Sequence, residues 1–120
     1  MSEARPVQTI RSVFPAFSRE LTELLAASER PDLAPRIADL PVVDRCRCGD
    51  PDCAHFYTAP RPKGAYGEGH FNLRLGAATG FIVLDVVEDR IVAVEVLHRP
   101  DVKRALDEVL PLSKVSTSPD

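Results

Sequence analysis

Two runs of β-branched and aliphatic residues constrain the fold of this chain most strongly. They cover residues 81–87 and 91–97 and are separated by Glu88, Asp89 and Arg90. Valine and isoleucine favour strands, and a short polar connection between two such runs is typical of a β-hairpin. Because almost every position of both runs is apolar, we expect both faces of this hairpin to be covered.

Three further segments are predicted to extend the hairpin into an antiparallel sheet of about five strands. Residues 41–47 and 56–58 have an extended pattern, and residues 70–75 alternate between polar and apolar side chains. Two prolines and three glycines between positions 59 and 69 predict a long loop before the third of these segments.

Helical periodicity flanks the predicted sheet at both ends. Phe17, Leu21 and Leu25 recur at helical spacing, which predicts a helix over roughly residues 15–30, and a shorter helical piece follows up to residue 40. Pro100 suits the first turn of a second helix, whose apolar stripe ends near position 110. The sequence therefore predicts an α+β fold with an N-terminal helix or helices, a sheet of about five strands and a C-terminal helix.

The length of the chain bounds its organisation. One hundred and twenty residues are enough for one hydrophobic core, so we expect a single domain. Its predicted parts are a flexible arm over residues 1–11, a helical region over 12–40, the sheet over 41–97, a helix over 98–112 and a disordered tail over 113–120.

Composition narrows the class of protein. The net charge of −3 argues against a protein whose main task is to bind nucleic acid. The first residues lack the apolar stretch of a signal peptide, and no apolar run is long enough to cross a bilayer, so we expect a cytoplasmic protein without membrane contacts. Twelve arginines against three lysines are typical of a GC-rich bacterial coding sequence.

The three cysteines of the chain lie within eight residues of one another, and a histidine follows the last. Cys46 and Cys48 are two residues apart, as are Cys53 and His55, and residues two apart share one face of a strand. The intervening Gly-Asp-Pro-Asp segment has the composition of a turn. A hairpin over residues 46–55 would therefore direct three thiols and one imidazole to a single point, which predicts a zinc site.

Zinc binding at these four residues would be structural. Three thiolates and one imidazole complete a tetrahedron and leave no position for a substrate, so the sequence assigns no catalytic residue. Arg45 and Arg47 lie beside the thiols and are expected to favour the thiolate form.

The pattern C-x-C-(x)n-C-x-H resembles the SWIM zinc finger. By this resemblance Cys46, Cys48, Cys53 and His55 would be the four zinc ligands, and the function would be binding of nucleic acid or protein. The chain as a whole also resembles small bacterial proteins in its Cys-Arg-Cys-Gly-Asp and Phe-Tyr-Thr segments and in its hairpin, a resemblance that implies no activity.

Two other functions remain open at the level of sequence. A metal-free domain could bind a small ligand or a protein through the loop over residues 59–69. Alternatively, Cys46, Cys48 and Cys53 could serve a thiol enzyme or a redox sensor. A protein partner or self-association is also open, because residues 81–84 would form a dimer by strand pairing if they lay at an edge of the sheet.

Asp85 and Glu95 interrupt the otherwise apolar hairpin. If Val87 pairs with Arg90, the two carboxyl groups lie on opposite faces of the hairpin. If Val87 pairs with Ile91, they become diagonal neighbours on one face, where each would influence the protonation of the other. The simpler expectation is that each contacts solvent or an arginine.

Overall fold

The computed structural model of this chain describes residues 8–62 and 64–112 and confirms the predicted α+β class. Short helices come first, the strands follow, and a helix ends the described part. The elements are α1 (Ile10–Val13), α2 (Pro15–Ala26), a 3-10 helix (Pro31–Arg36), β1 (Asp44–Arg45), β2 (Phe56–Tyr57), β3 (His70–Leu75), β4 (Phe81–Val87), β5 (Arg90–Leu97) and α3 (Pro100–Val109).

The five strands form one antiparallel sheet in the order β1-β2-β5-β4-β3. Strand β4 therefore has a hydrogen-bonded neighbour on each side. The prediction that residues 81–84 form an exposed edge available for dimerisation is wrong, because β3 covers that side of the hairpin. Strands β1 and β3 lie at the two edges.

A two-residue turn joins β4 to β5. Glu88 and Asp89 have positive φ values of 49° and 67°, and Val87 pairs with Arg90. Positive φ at both central positions is typical of a type I′ turn, whose twist matches that of the flanking strands. Arg90, which the sequence analysis placed in the connection, is thus the first residue of β5.

An irregularity in the hairpin changes its register a few residues beyond the turn. Val86 pairs with Ile91, but the next residue of β4, Asp85, pairs with Ala93. Val92 is therefore extra on β5, which is the definition of a β-bulge. Near the turn the hairpin has the register in which Val87 pairs with Arg90. Beyond the bulge it has the other predicted register, the one that makes Asp85 and Glu95 diagonal neighbours on one face.

One face of the sheet packs against the helices and forms the hydrophobic core. Fully buried residues of α2, β2, β4 and β5 meet there, among them Leu21, Phe56, Leu84 and Val94. The other face, termed here the second face, is only partly covered, since Val83 and Glu95 on it are half-buried. The expectation that both faces of the hairpin are covered is therefore confirmed for the core face, whereas the second face is covered only in part.

The amino-terminal region differs from the prediction in its boundaries. Thr9 caps α1 through a reciprocal hydrogen-bond pair with Ser12, and Ile10 is fully buried. Residues 8–11 of the predicted arm thus belong to the fold. Helix α2 ends at Ala26 and not near residue 30 as predicted. Just after this end, the Ser28 hydroxyl donates to the carbonyl of Leu25, which satisfies a carbonyl of the last helical turn.

Residues 1–7 of the predicted arm and the predicted tail over 113–120 lie outside the described residues. In the part of the chain that is described, no helix has the length and apolar character needed to cross a membrane.

Candidate metal centre and polar cleft

The three cysteines converge in the connection between β1 and β2. The sulfur atoms of Cys46, Cys48 and Cys53 all lie within 4.8 Å of one another. Cys53 is buried, Cys46 is half-buried and Cys48 is exposed, so the group lies at the surface with one side in the protein. Among residues 8–62 and 64–112, no other group of three or more potential metal ligands has its donor atoms this close together.

Backbone hydrogen bonds hold the cysteine connection in place. The amide of Cys46 donates to the carbonyl of His55 at 3.0 Å, which continues the β1–β2 ladder by one residue. Cys53 forms an isolated bridge with Leu97 of β5. Gly49 has a φ of +83°, a conformation that glycine adopts without the steric cost of a side chain. The turn composition read from the sequence thus produces the reversal that gathers the thiols.

Two of the thiols have altered protonation. A hydrogen bond from the backbone amide of Asp50 lowers the pKa of the Cys48 thiol, and the neighbouring thiols act in the same direction. Burial raises the pKa of the Cys53 thiol to about 12, although the backbone amide of His55 donates to it and opposes this effect. Amide hydrogen bonds of this kind stabilise thiolates once a cation balances their charge.

His55 lies beside the thiols along the backbone, but its imidazole is not part of their group. Phe56 pairs with Val94, and the Ala54 amide donates to the carbonyl of Val96, so His55 is opposite Glu95 on the second face. Its imidazole contributes to a cleft there, and its buried Nε2 has no hydrogen-bond partner among the described residues. Burial lowers its pKa, which favours the neutral imidazole.

Arg45 and Arg47 do not serve the thiols as expected. The Arg45 side chain is 1% exposed and donates to Asp107 at 2.6 Å and to the carbonyl of Leu110 at 3.0 Å. Arg47 donates to the carbonyl of Pro111 at 3.0 Å. Both guanidinium groups therefore attach the cysteine connection to the C-terminal end of α3, where helix carbonyls attract positive charge.

A polar cleft of about 320 Å³ lies on the second face. Tyr66, from the predicted loop over residues 59–69, covers part of it, and its ring centroid lies 4.6 Å from that of His70. Side chains of four neighbouring strands contribute to the lining, which consists of His55, Phe56, Tyr57, Tyr66, His70, Asn72, Asp85, Ala93 and Glu95. This is where the loop meets the sheet.

Asp85 is the centre of the hydrogen bonding in this cleft. It is only 4% exposed. Its Oδ1 accepts from Asn72 Nδ2 at 2.6 Å and lies 2.9 Å from Nε2 of His70. A buried carboxylate with two such partners is satisfied on one oxygen, which fixes its orientation.

Glu95 is paired with Asp85 across the hairpin. Asp85 is opposite Ala93 and Val83 is opposite Glu95, so the bulge makes the two carboxyl groups diagonal neighbours. Their mutual hydrogen bond, with burial and the charge of Asp85, raises the pKa of Glu95 to about 7, while His70 opposes this rise. Glu95 therefore keeps its proton to a higher pH than an exposed glutamate does.

Sequence reasoning found part of this cleft. It identified the diagonal arrangement of Asp85 and Glu95 as one of two alternatives but assigned no role to His70 or Asn72. The alternation of side chains along β3 could have indicated His70 and Asn72. Residues two apart on a strand share a face, and Asn72 pairs directly with Asp85 while His70 pairs with Val87, two residues further on.

No family model, curated protein or solved structure with which the chain was compared matches it.

Proposed function

We propose that this protein is a small zinc-binding domain in which Cys46, Cys48 and Cys53 hold a structural ion, and that it acts as a non-catalytic binding or regulatory module. The observation that carries the proposal is the approach of three sulfur atoms to within 4.8 Å of one another. Zinc–thiolate bonds of about 2.3 Å in a tetrahedron place sulfurs about 3.8 Å apart, so only small side-chain adjustments are needed.

The donor chemistry supports a soft cation. Three thiols this close together repel one another once they ionise, and a divalent cation removes that repulsion. The backbone amides of Asp50 and His55 lower the pKa of Cys48 and Cys53 respectively, and so favour the ionised form of each thiol. They would stabilise the thiolates that zinc requires.

His55 is the proposed fourth ligand. Its backbone lies directly across the β1–β2 ladder from Cys46, and it follows Cys53 by two residues along the chain. Binding requires the imidazole to turn from the cleft towards the sulfurs. A metal-bound histidine commonly keeps its second nitrogen for a carboxylate, and Glu95 is its cross-strand neighbour.

The position of the ion supports a structural role. Strands β1 and β2 contain two residues each, so few ladder hydrogen bonds hold them. An ion at Cys46 and Cys53 would link the end of β1 to the segment bridged with β5. Cross-linking contributes most where the hydrogen-bonded ladder is shortest, and structural zinc contributes folding free energy directly.

The test is the metal content of protein purified without a metal-binding tag. We expect one zinc per chain, and removal by a chelator should lower the melting temperature by roughly 10 °C or more, since about 3 kcal/mol corresponds to that shift in a domain of this size. Cys48→Ser should lose the metal. The matched control Asp52→Asn changes an exposed residue of the same turn and should retain it.

Thiol labelling separates the alternatives. In the zinc reading, alkylation is slow before chelation and fast after it. Absence of metal together with slow labelling throughout would assign the cysteines to inert packing, and rapid labelling of untreated protein would assign them to a reactive site. Either result overturns the proposal. His55→Ala should weaken zinc retention at least tenfold in competition with a chelator, and unchanged retention would remove His55 from the ligand set.

A further inference from the structure

We propose that the cleft on the second face is a binding site for a small organic cation with two or more N–H donors, of the amidinium or guanidinium class. The cleft is built from β2, β3, β4, β5 and the loop that carries Tyr66. The cleft does not include the three thiols, but His55 lies in its lining, so a zinc-bound His55 would open one wall of the cleft without removing the carboxyl pair.

The charges that line the cleft favour a cation. Asp85 and Glu95 are the ionisable acids of the lining, and its described residues include no lysine or arginine. The two carboxyl groups are diagonal neighbours on one face of the hairpin. A planar cation with two N–H groups would donate to both carboxylates at once, which is the bidentate arrangement that such groups favour.

The anionic centre of the cleft is fixed before a ligand arrives. Asn72 Nδ2 donates to Oδ1 of Asp85 at 2.6 Å, and Nε2 of His70 lies 2.9 Å from the same oxygen. Asp85 is 4% exposed, so these contacts hold its carboxyl group in one orientation. A site that is already ordered loses less entropy when a ligand binds.

The geometry favours an organic cation over a metal ion. The histidine and carboxyl groups of the cleft do not form a group of three donor atoms within 4.8 Å, whereas the cysteines do. A metal ion requires such convergence, but an extended planar cation reaches separated acceptors. The volume of about 320 Å³ is at the lower end of the range for small-molecule sites.

Aromatic side chains support the same ligand class. Tyr57 and Tyr66 border the cleft, and the guanidinium carbon of Arg61 already lies 4.8 Å from the Tyr57 ring centroid. The faces of tyrosine rings attract planar cations, and Tyr57 already holds one from the chain itself. Tyr66 packs on His70 at one side and would limit the access of water to the carboxyl pair.

The experiment is an NMR titration of the full chain with benzamidinium, using neutral benzamide as the isosteric probe. We expect saturable shifts at amides of β3, β4 and β5 that line the cleft, and a dissociation constant at least tenfold lower for benzamidinium. Glu95→Gln should weaken benzamidinium binding at least tenfold, and Tyr66→Ala should weaken binding while leaving the carboxyl pair intact. Glu108→Gln, which changes an exposed acid of α3, is the matched control.

Four results would overturn the proposal. Equal binding of benzamide and benzamidinium would show that the carboxyl pair does not select a cation. Absence of saturable shifts at the cleft would show that it is not a site for this class. If zinc or manganese shifts the amide signals of the cleft and benzamidinium does not, the cleft is a metal site. The titration is repeated after chelation. Saturable benzamidinium shifts with and without metal would separate this site from the thiol group, and their loss on chelation would overturn the proposal.

Discussion

The pH dependence of stability should change when Glu95 is replaced by glutamine. The hydrogen bond with Asp85 and burial raise the pKa of Glu95 from its ordinary value of 4.5 to about 7. Between these values the folded protein retains a proton that the unfolded chain has lost. Stability contributed by this proton is therefore fully present below about pH 4.5 and is lost as the pH rises through about 7.

The size of the effect follows from the same two values. Each pH unit between them corresponds to about 1.4 kcal/mol, which gives about 3 kcal/mol for a fully buried group. Glu95 is half-buried, so solvent screening reduces the expected loss to about 1–2 kcal/mol. In Glu95→Gln the amide donates to Asp85 at every pH, and this loss should be absent.

The assay is urea unfolding of both proteins between about pH 5 and pH 7.5 at equal zinc loading. Across this range, the free energy of unfolding of the original chain should fall by about 1–2 kcal/mol more than that of Glu95→Gln. Glu108→Gln on the exposed surface of α3 should follow the original chain. Parallel profiles for Glu95→Gln and the original chain would refute the claim that Asp85 and burial raise the pKa of Glu95.

Three substitutions test other parts of the fold by urea unfolding. Glu88→Asn should stabilise by ~0.5 kcal/mol, because asparagine tolerates the φ of 49° in the turn, and a loss of stability would contradict the turn assignment. Asp107→Asn should destabilise by about 1–3 kcal/mol, because it leaves the buried Arg45 guanidinium without its carboxylate, and a neutral effect would contradict this pairing. Phe56→Ala should cost about 3–5 kcal/mol, since Phe56 is fully buried against Phe14, and a cost below about 1 kcal/mol would show that the core closes around the deletion.

The hairpin and the helices could be predicted because their signals are local. Dense β-branched runs and apolar side chains at helical spacing each need only a short window of sequence, and both agree with the elements formed. The convergence of the three thiols could be predicted for the same reason. Cys46 and Cys53 are separated by a turn short enough for local geometry to fix their positions.

The bulge and the role of Arg45 could not be predicted because they depend on distant parts of the chain. Both hairpin registers place valines on each face, so periodicity alone does not choose between them. The choice depends on the core face, where Val94 and Leu84 meet the helices. Arg45 is 62 positions from Asp107, and an arginine between polar neighbours gives no sign that it will be buried.

The bulge at Val92 has a consequence for the fidelity of folding. Without it, a regular ladder from the turn would pair Glu95 with Ile82 and bring a carboxyl group into the helical layer. The cost of burying that charge disfavours the slipped hairpin. The shift moves β5 alone, so Asp85 keeps its face in both ladders, and Glu95 is the carboxyl group that opposes the slip. Glu95 therefore helps to keep the aliphatic face of the hairpin under the helices, where it is protected from pairing with other chains.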